Sequence, residues 1–462
     1  MAVLQKIKNL YRALPPWMTA GLRLVPDGIL FGRSYRECSP YIDAKLYGAN
    51  LKSALDYARG HTEWGREKIP AAIQVEDAEA LIRTLPLVSS EELAEAPARF
   101  MSDEANGCNS YWTTTGGSGR NPTSICLCNS SYGVEWRHMH RIWNSWKAGG
   151  DPRVLVFGDK TQDSTTYERR RDVKLTFRGY HLKDGELTRF DPIYNEVSVD
   201  PFQLNEGNFD NFMKQVGGYN IGCIHGYPSL IWMFKERLAA RGFRFPVKLI
   251  FLGSEACSVG RKRALAEFFD AKVVSWYGQT EKVVLAYDAD ASGRFVNFSS
   301  YGYPWILNPD DNGVGEIVGT TFVNRAMPLV NYRTGDYGRI SRVVAFGQEA
   351  LVIDNVQGRW GKDFVYKTKQ EKIPTSAINL HGAVQEKINF FQIVQSEYGK
   401  IEVKVLVKKK YDERLVIDEM ERELVARLKG FKICCFAVRS ELEFVRSCRG
   451  KMVMLVQSLR DK

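Results

Sequence analysis

Five short segments, in order along the chain, combine residue types that can bind phosphate, metal or sugar. In Thr113-Thr114-Thr115-Gly116-Gly117-Ser118-Gly119-Arg120-Asn121-Pro122, three hydroxyl residues precede three glycines in four positions. Such a loop can fold its backbone closely round a phosphate and turn N–H groups and hydroxyls onto the phosphate oxygens. It lacks the Gly-Lys-Ser/Thr ending of the common nucleotide-binding loop, and by itself a Gly/Ser/Thr cluster also describes a surface turn. Trp276-Tyr277-Gly278-Gln279-Thr280-Glu281 follows an apolar stretch. A carboxylate at the C-terminal end of a strand sits where open α/β sheets bind ligands, and could hold Mg²⁺ against phosphates. In Tyr332-Arg333-Thr334-Gly335-Asp336 an Asp fixed by a Gly turn can accept from two sugar hydroxyls. Gly358-Arg359 and Arg449-Gly450-Lys451-Met452 come last; a lysine ammonium on its flexible stem can reach a phosphate or carboxylate as a point charge.

These residues need elements to carry them. Residues 1–100 read as helical segments broken by Pro15-Pro16, Pro40, Pro70 and Pro97. From about 110 the pattern changes to short apolar strands (Val154–Phe157, Ile221–Ile224, Val247–Leu252, Val273–Trp276) alternating with helices over Ser131–Lys147, Ser229–Arg241 and Arg261–Phe269. The first helix would start after Ser130 as N-cap and stop at Gly149-Gly150. Strands separated by helices of this length predict a βαβ-built, largely parallel sheet. After about 300 the strands close up, at Glu316–Phe322, Pro328–Tyr332 and Leu351–Asn355, which suits a β-rich subdomain. From 385 the order strand, strand, helix, strand predicts a compact α+β unit. Its helix, Asp412–Lys429, has Ile417, Met420, Leu424 and Leu428 on one face and Gly430 as a stop.

At 462 residues and 52.5 kDa the chain needs two or three domains. Its composition, 44% apolar and 26% charged, is that of a soluble globular protein. No stretch approaches the roughly 20 apolar residues of a membrane span, and the N-terminus has no apolar run long enough for a secretory signal. Val3, Leu4, Ile7 and Leu10 beside Lys6, Lys8 and Arg12 read as an amphipathic helix docked on the body, with a membrane-surface helix as the other reading. A cytoplasmic protein is the expectation. The nine cysteines contain no CxxC pair, so neither a zinc site nor a redox centre has its usual spacing. The net charge of +10 is concentrated late: residues 359–462 carry 22 Lys and Arg against 14 Asp and Glu. That skew hints at an anionic partner, although a solvated basic face explains it as simply.

Taken in order, the hydroxyl/Gly loop near 115, YGxTE near 280, YRTGD near 335, Gly-Arg at a domain break and Gly-Lys near the end resemble the adenylate-forming superfamily. TTGGS-x-x-x-P in the loop, HGYPS at His225–Ser229 and LGSE at Leu252–Glu255 look like its phenylacetate–CoA ligase and CapK-like branch. The resemblance spans roughly residues 10 to 455. It implies an α/β fold: a large N-terminal adenylation domain, 1–357, with βαβ-type sheets and a β-rich subdomain, and a small mobile α+β C-terminal domain, 358–462. It also implies residue roles. Thr114, Thr115, Gly116, Gly117 and Ser118 would form the phosphate loop. Tyr277 would pack on adenine, Thr280 would touch the α-phosphate or acyl carboxylate, and Glu281 would hold Mg²⁺. Asp336 would bind the ribose, Arg359 would contact it and begin the hinge, and Lys451 would stabilise charge while acyl-AMP forms. His225, Tyr227 and Ser254 would line the acyl or acceptor pocket, although His225 reads equally well as a structural histidine.

Two departures stand out. Gly119 and Arg120 occupy positions where the family loop has Thr and Gly, so Arg120 either supplies a phosphate contact from its side chain or disturbs the loop. The hinge reads Arg359-Trp360-Gly361-Lys362-Asp363, off the commoner GRxxD. The expected activity is ATP-dependent activation of a small-molecule carboxylic acid, with transfer to CoA. An amide-forming or adenylyl-transferring enzyme with another acceptor is the alternative. A basic nucleic-acid-binding protein is a remote third reading, since no basic-aromatic RNA motif is present.

Overall fold

The computed structural model describes residues 26–114, 123–143, 173–177, 187–191, 196–199, 207–217, 219, 221–253, 255–357, 364–369, 371–374, 384, 387–428, 430–446 and 453–459. The chain divides into two compact units. One is Met1–Thr334 with Gly338–Val356, and the other is Gly335–Tyr337 with Gln357–Lys462.

The first unit begins with helices, the longest being α1 (Tyr47–His61). Tyr47, Leu51, Leu55 and Ala58 recur on one of its faces and are buried, the spacing of an amphipathic stripe. That stripe packs into a core with Val283, Val284, Tyr303, Ile317 and Tyr332. Strands β1 (Ser110–Thr114) and β2 (Ser124–Cys128) form an antiparallel pair, and α2 (Asn129–Trp143) follows directly. The helix starts at Asn129, ahead of the cap expected at Ser130; Ser131 donates its hydroxyl to the Cys128 carbonyl at 2.7 Å.

Next come β3 (Val173–Phe177), β4 (Thr188–Asp191), β5 (Glu196–Val199), α3 (Phe209–Val216), β6 (Ile221–Gly226), α4 (Pro228–Ala240), β7 (Leu249–Leu252), α5 (Val259–Phe269) and β8 (Lys272–Gly278). Strands β5, β3, β6, β7 and β8 lie side by side and parallel. All four residues of β7 are apolar and buried, as in a strand covered on both faces. Strands β9 (Leu285–Asp288), β10 (Phe295–Asn297), β11 (Gly302–Leu307), β12 (Gly315–Thr321), β13 (Tyr332–Ala345) and β14 (Gln348–Gln357) extend the same sheet, in the order β11-β12-β13-β14-β10-β9-β8-β7-β6-β3-β5-β4. Strand β8 is the seam, parallel to β7 and antiparallel to β9. The strand expected at Pro328–Tyr332 instead begins at Tyr332. Asn331 takes a left-handed backbone (φ 52°), which is not strand geometry, and its side chain donates to the Ile82 and Leu85 carbonyls.

The second unit contains the short antiparallel pair β15 (Phe364–Tyr366) and β16 (Lys372–Pro374). Strands β17 (Ile388–Gln395) and β18 (Lys400–Val407), helix α6 (Glu413–Arg427), β19 (Lys432–Ala437) and β20 (Leu455–Gln457) complete it, the strands ordered β19-β18-β17-β20. Asp412 caps α6 by accepting from the Leu415 N–H at 2.9 Å. Val416, Met420 and Leu424 of α6 and the following Leu428 are buried against the sheet, with Ile417 at the margin. Among the described residues no helix is long and apolar enough to cross a membrane.

Candidate active site

A buried ion pair lies beside β8. Lys262 of α5, 1% exposed, donates to Asp288 Oδ2 at 2.6 Å and to Ser275 Oγ at 2.8 Å. Asp288 in turn accepts the N–H groups of Asp290, Ser292 and Gly293. One lysine thus ties α5, β8 and β9 together, and the satisfied hydrogen bonds offset the cost of desolvating two charges. Beyond Ser275, the Trp276 indole lies against Gly253, where any Cβ would collide with the ring. The glycine of Leu252-Gly253-Ser254-Glu255 is therefore needed for close approach. His225, at the end of β6, stands 5.4 Å from the Trp276 ring and 5.8 Å from Trp143. The carboxyl ends of β6 and β8 thus share an aromatic wall with α2.

After β8 the chain turns through Gln279, Thr280 and Glu281. Glu281 is 2% exposed. Its Oε1 accepts the Tyr332 hydroxyl at 2.8 Å, whereas its Oε2 is buried and has no hydrogen-bond partner among the described residues. The same holds for both polar atoms of the Gln279 amide. Three buried, unpartnered polar atoms within three residues are costly, about 1–3 kcal/mol each. Native structures leave few such groups without a reason. The next residue, Lys282, has φ 60° and turns its ammonium to Glu135 on α2, so this cation is committed to another carboxylate. A carboxylate oxygen with free lone pairs fits a hard divalent cation such as Mg²⁺, and Glu281 meets that requirement.

The YRTGD segment supplies three structural contacts. Tyr332 holds Glu281, Arg333 pairs with Glu316 (Nε–Oε2 2.9 Å), and the Thr334 hydroxyl donates to the Ile317 carbonyl at 2.6 Å. Asn331 anchors the start of β13: its side-chain Oδ1 accepts from the Trp305 indole at 3.0 Å, and its side-chain amide donates to the Ile82 and Leu85 carbonyls. Asp336 is buried four residues further on, after Gly335, whose φ is 73°. Tyr277 and Thr280 are half-buried, and Tyr277 packs against the first core. Tyr227, just past β6, is half-buried.

Thr114 ends β1, and nothing further of its side chain is described. Thr115, Gly116, Gly117, Ser118, Arg120, Ser254, Arg359 and Lys451 lie outside the described residues, as do the amphipathic helix expected around Val3–Arg12 and the strand expected at 154–157. Sequence reasoning missed Gln279 and the hydroxyl of Tyr332. The first stands inside a motif, as a polar amide between its fixed positions. No sequence signal pairs Tyr332 with a residue 51 positions away.

No protein-family model matches the chain, and no curated protein matches it in sequence. Solved structures do match in fold. A 2-hydroxyisobutyryl-CoA ligase in the postadenylation state, in complex with R3-HIB-AMP, superposes with a TM-score of 0.60 at 14% identity, over 90% of this chain and 89% of that one. The same ligase in complex with 2-HIB-AMP gives 0.58 at 14% identity, over 90% and 89%. An acyl acid amido synthetase, AtGH3.15 in complex with 2,4-DB, gives 0.52 at 12% identity, over 90% and 92%. The fold of these enzymes extends through nearly the whole chain.

Proposed function

We propose that this chain is an adenylate-forming ligase, related to the phenylacetate–CoA ligase and CapK-like branch, which activates a carboxylic acid with ATP and passes the acyl group to CoA. The observation that carries the reading is Glu281, a buried carboxylate with one oxygen held and the other open. It lies at the carboxyl end of the seam strand, in a fold shared with ligases solved as acyl-AMP complexes. Glu281 would hold Mg²⁺, which supplies positive charge against the ATP phosphates. Thr114 to Ser118, with Arg120, would bind those phosphates. Asp336 would accept the ribose hydroxyls, Tyr277 would pack on adenine, and Arg359 would contact the ribose. His225, Tyr227 and Ser254 would border the acyl pocket.

A carboxylate is a poor electrophile because its own charge repels nucleophiles. In the proposed first step its oxygen attacks the α-phosphorus of ATP. The bond from that phosphorus to the bridging oxygen breaks and pyrophosphate leaves, giving a mixed anhydride with AMP. The acceptor thiol, its proton lost to solvent, then attacks the acyl carbon; the bond from that carbon to the phosphate oxygen breaks and AMP leaves. Little covalent work falls to the protein, so positioning and charge stabilisation dominate. Thr280 would orient the acid or α-phosphate, and Lys451 would stabilise the charge that develops on adenylation. The basic skew of residues 359–462 suits the phosphates of CoA.

The test is pyrophosphate exchange across aryl, fatty, amino and sugar-linked acids, with product masses taken with and without CoA. The reading expects acid-dependent exchange and an acyl-CoA product. An amide or a stable adenylyl product would move the acceptor to the amine-using or adenylyl-transferring class. No exchange with any acid, together with a failure to bind ATP, would overturn the reading.

A further inference from the structure

Tyr332 lies in the apolar core that α1 shares with Val283, Ile317 and Tyr303, a setting in which a phenylalanine would pack as readily. Its hydroxyl nevertheless donates to a carboxylate that is itself 2% exposed. Burying an ionisable group beside a core is costly, and an apolar pair of similar volume is commonly neutral or better for stability. Fold stability alone does not explain the Tyr332–Glu281 pair. Geometry does: the hydrogen bond occupies Oε1 and leaves Oε2 as the open oxygen.

The platform beneath the hydroxyl is rigid. Tyr332 forms a parallel bridge with Val88, flanked by Val88 N–H to Asn331 O and Arg333 N–H to Val88 O, both 2.9 Å. Asn331 is pinned by Trp305, Ile82 and Leu85. On the carboxylate's own loop, Lys282 is drawn to Glu135, so its ammonium is engaged with a carboxylate other than Glu281. We propose that Tyr332 is a positioning residue that fixes the rotation of the Glu281 carboxylate, so that Oε2 is presented to the divalent cation of the nucleotide. Ligating carboxylates elsewhere rely on such outer partners, whose loss weakens metal affinity about 10–100-fold. The inference rests on the proposed role of Glu281 and adds the residue that aims it.

The experiment is Mn²⁺ binding followed by electron paramagnetic resonance, with α,β-methylene-ATP present, on the full chain. Tyr332→Phe should weaken Mn²⁺ by about 10–100-fold. 4-Aminophenylalanine at position 332, which keeps a donor, should hold the wild-type affinity. In a Glu281→Gln background, Tyr332→Phe should cause no further loss, because it acts only through that carboxylate. If Tyr332→Phe does not fold, Glu281→Asp, which draws the carboxylate back from the hydroxyl, should show the same loss. An Mn²⁺ affinity within twofold of wild type in Tyr332→Phe, or in Glu281→Asp where that variant stands in, overturns the proposal and leaves the ligase reading intact. So does an equal loss from Tyr332→Phe with and without Glu281. Failure of the wild-type protein to bind Mn²⁺ with nucleotide overturns the role of Glu281 and this inference with it.

Discussion

Gln279 offers a perturbation whose two effects have opposite signs. Both polar atoms of its amide are buried and have no hydrogen-bond partner among the described residues. Each such group costs about 1–3 kcal/mol in the folded state. Gln279→Met keeps the length of the side chain and removes both atoms. Part of the relief is offset by lost packing, so the ligand-free protein should gain about 1–3 kcal/mol, a rise of a few degrees in the thermal midpoint of its large unit. Urea unfolding read by the fluorescence of Trp64, Trp143, Trp276 and Trp305 measures this directly. If the amide is kept for a ligand, the same change should lower kcat/KM in pyrophosphate exchange about 10-fold or more, the worth of one hydrogen bond to a charged group. Stability gained and activity lost is the pattern of a site held in a costly state for function. A Gln279→Met protein that is less stable by 1 kcal/mol or more, with unchanged kinetics, would refute the reasoning and make the amide a structural group.

Three further outcomes are expected. Lys262→Met leaves Asp288, 0% exposed, without its counter-charge, and should cost about 3–5 kcal/mol in urea unfolding, part of which Asp288→Asn in the same chain should restore. Burial lowers the pKa of His138 to about 4, although its Nδ1–H bond to the Val134 carbonyl opposes the shift. The neutral ring therefore contributes stability in full above the unfolded value near 6.5, and loses about 3 kcal/mol as the pH falls from there toward 4; a His138→Gln protein should show a flatter stability profile between those pH values. Lys451→Ala should slow pyrophosphate exchange about 10²–10³-fold while leaving the consumption of supplied acyl-AMP largely intact, and equal damage to both rates would argue against a role confined to adenylation.

Periodicity and local chemistry placed only part of the elements: β6 to β8, β12, β14, α2 and α4 to α6 were legible, whereas β1 to β5, α3 and β9 to β11 were not. The apolar runs of β6 to β8 and the spacing of Met420, Leu424 and Leu428 in and after α6 depend on neighbours a few residues apart, so they can be read along the chain. The order of the motifs was legible for the same reason, and it pointed to the fold that the solved ligase structures share with the chain at 12–14% identity. Tertiary structure alone decided which atoms meet. Lys262 with Asp288 and Tyr332 with Glu281 are pairs 26 and 51 residues apart, and the sheet order that joins them is not encoded in any local window. The start of β13 at Tyr332 was missed because Asn331 exchanges strand geometry for bonds to Ile82, Leu85 and Trp305, partners that exist only after folding. A sequence shows which residues can do chemistry; whether a carboxylate keeps an oxygen open depends on where every other polar group has gone, and that is settled only when the core closes around it.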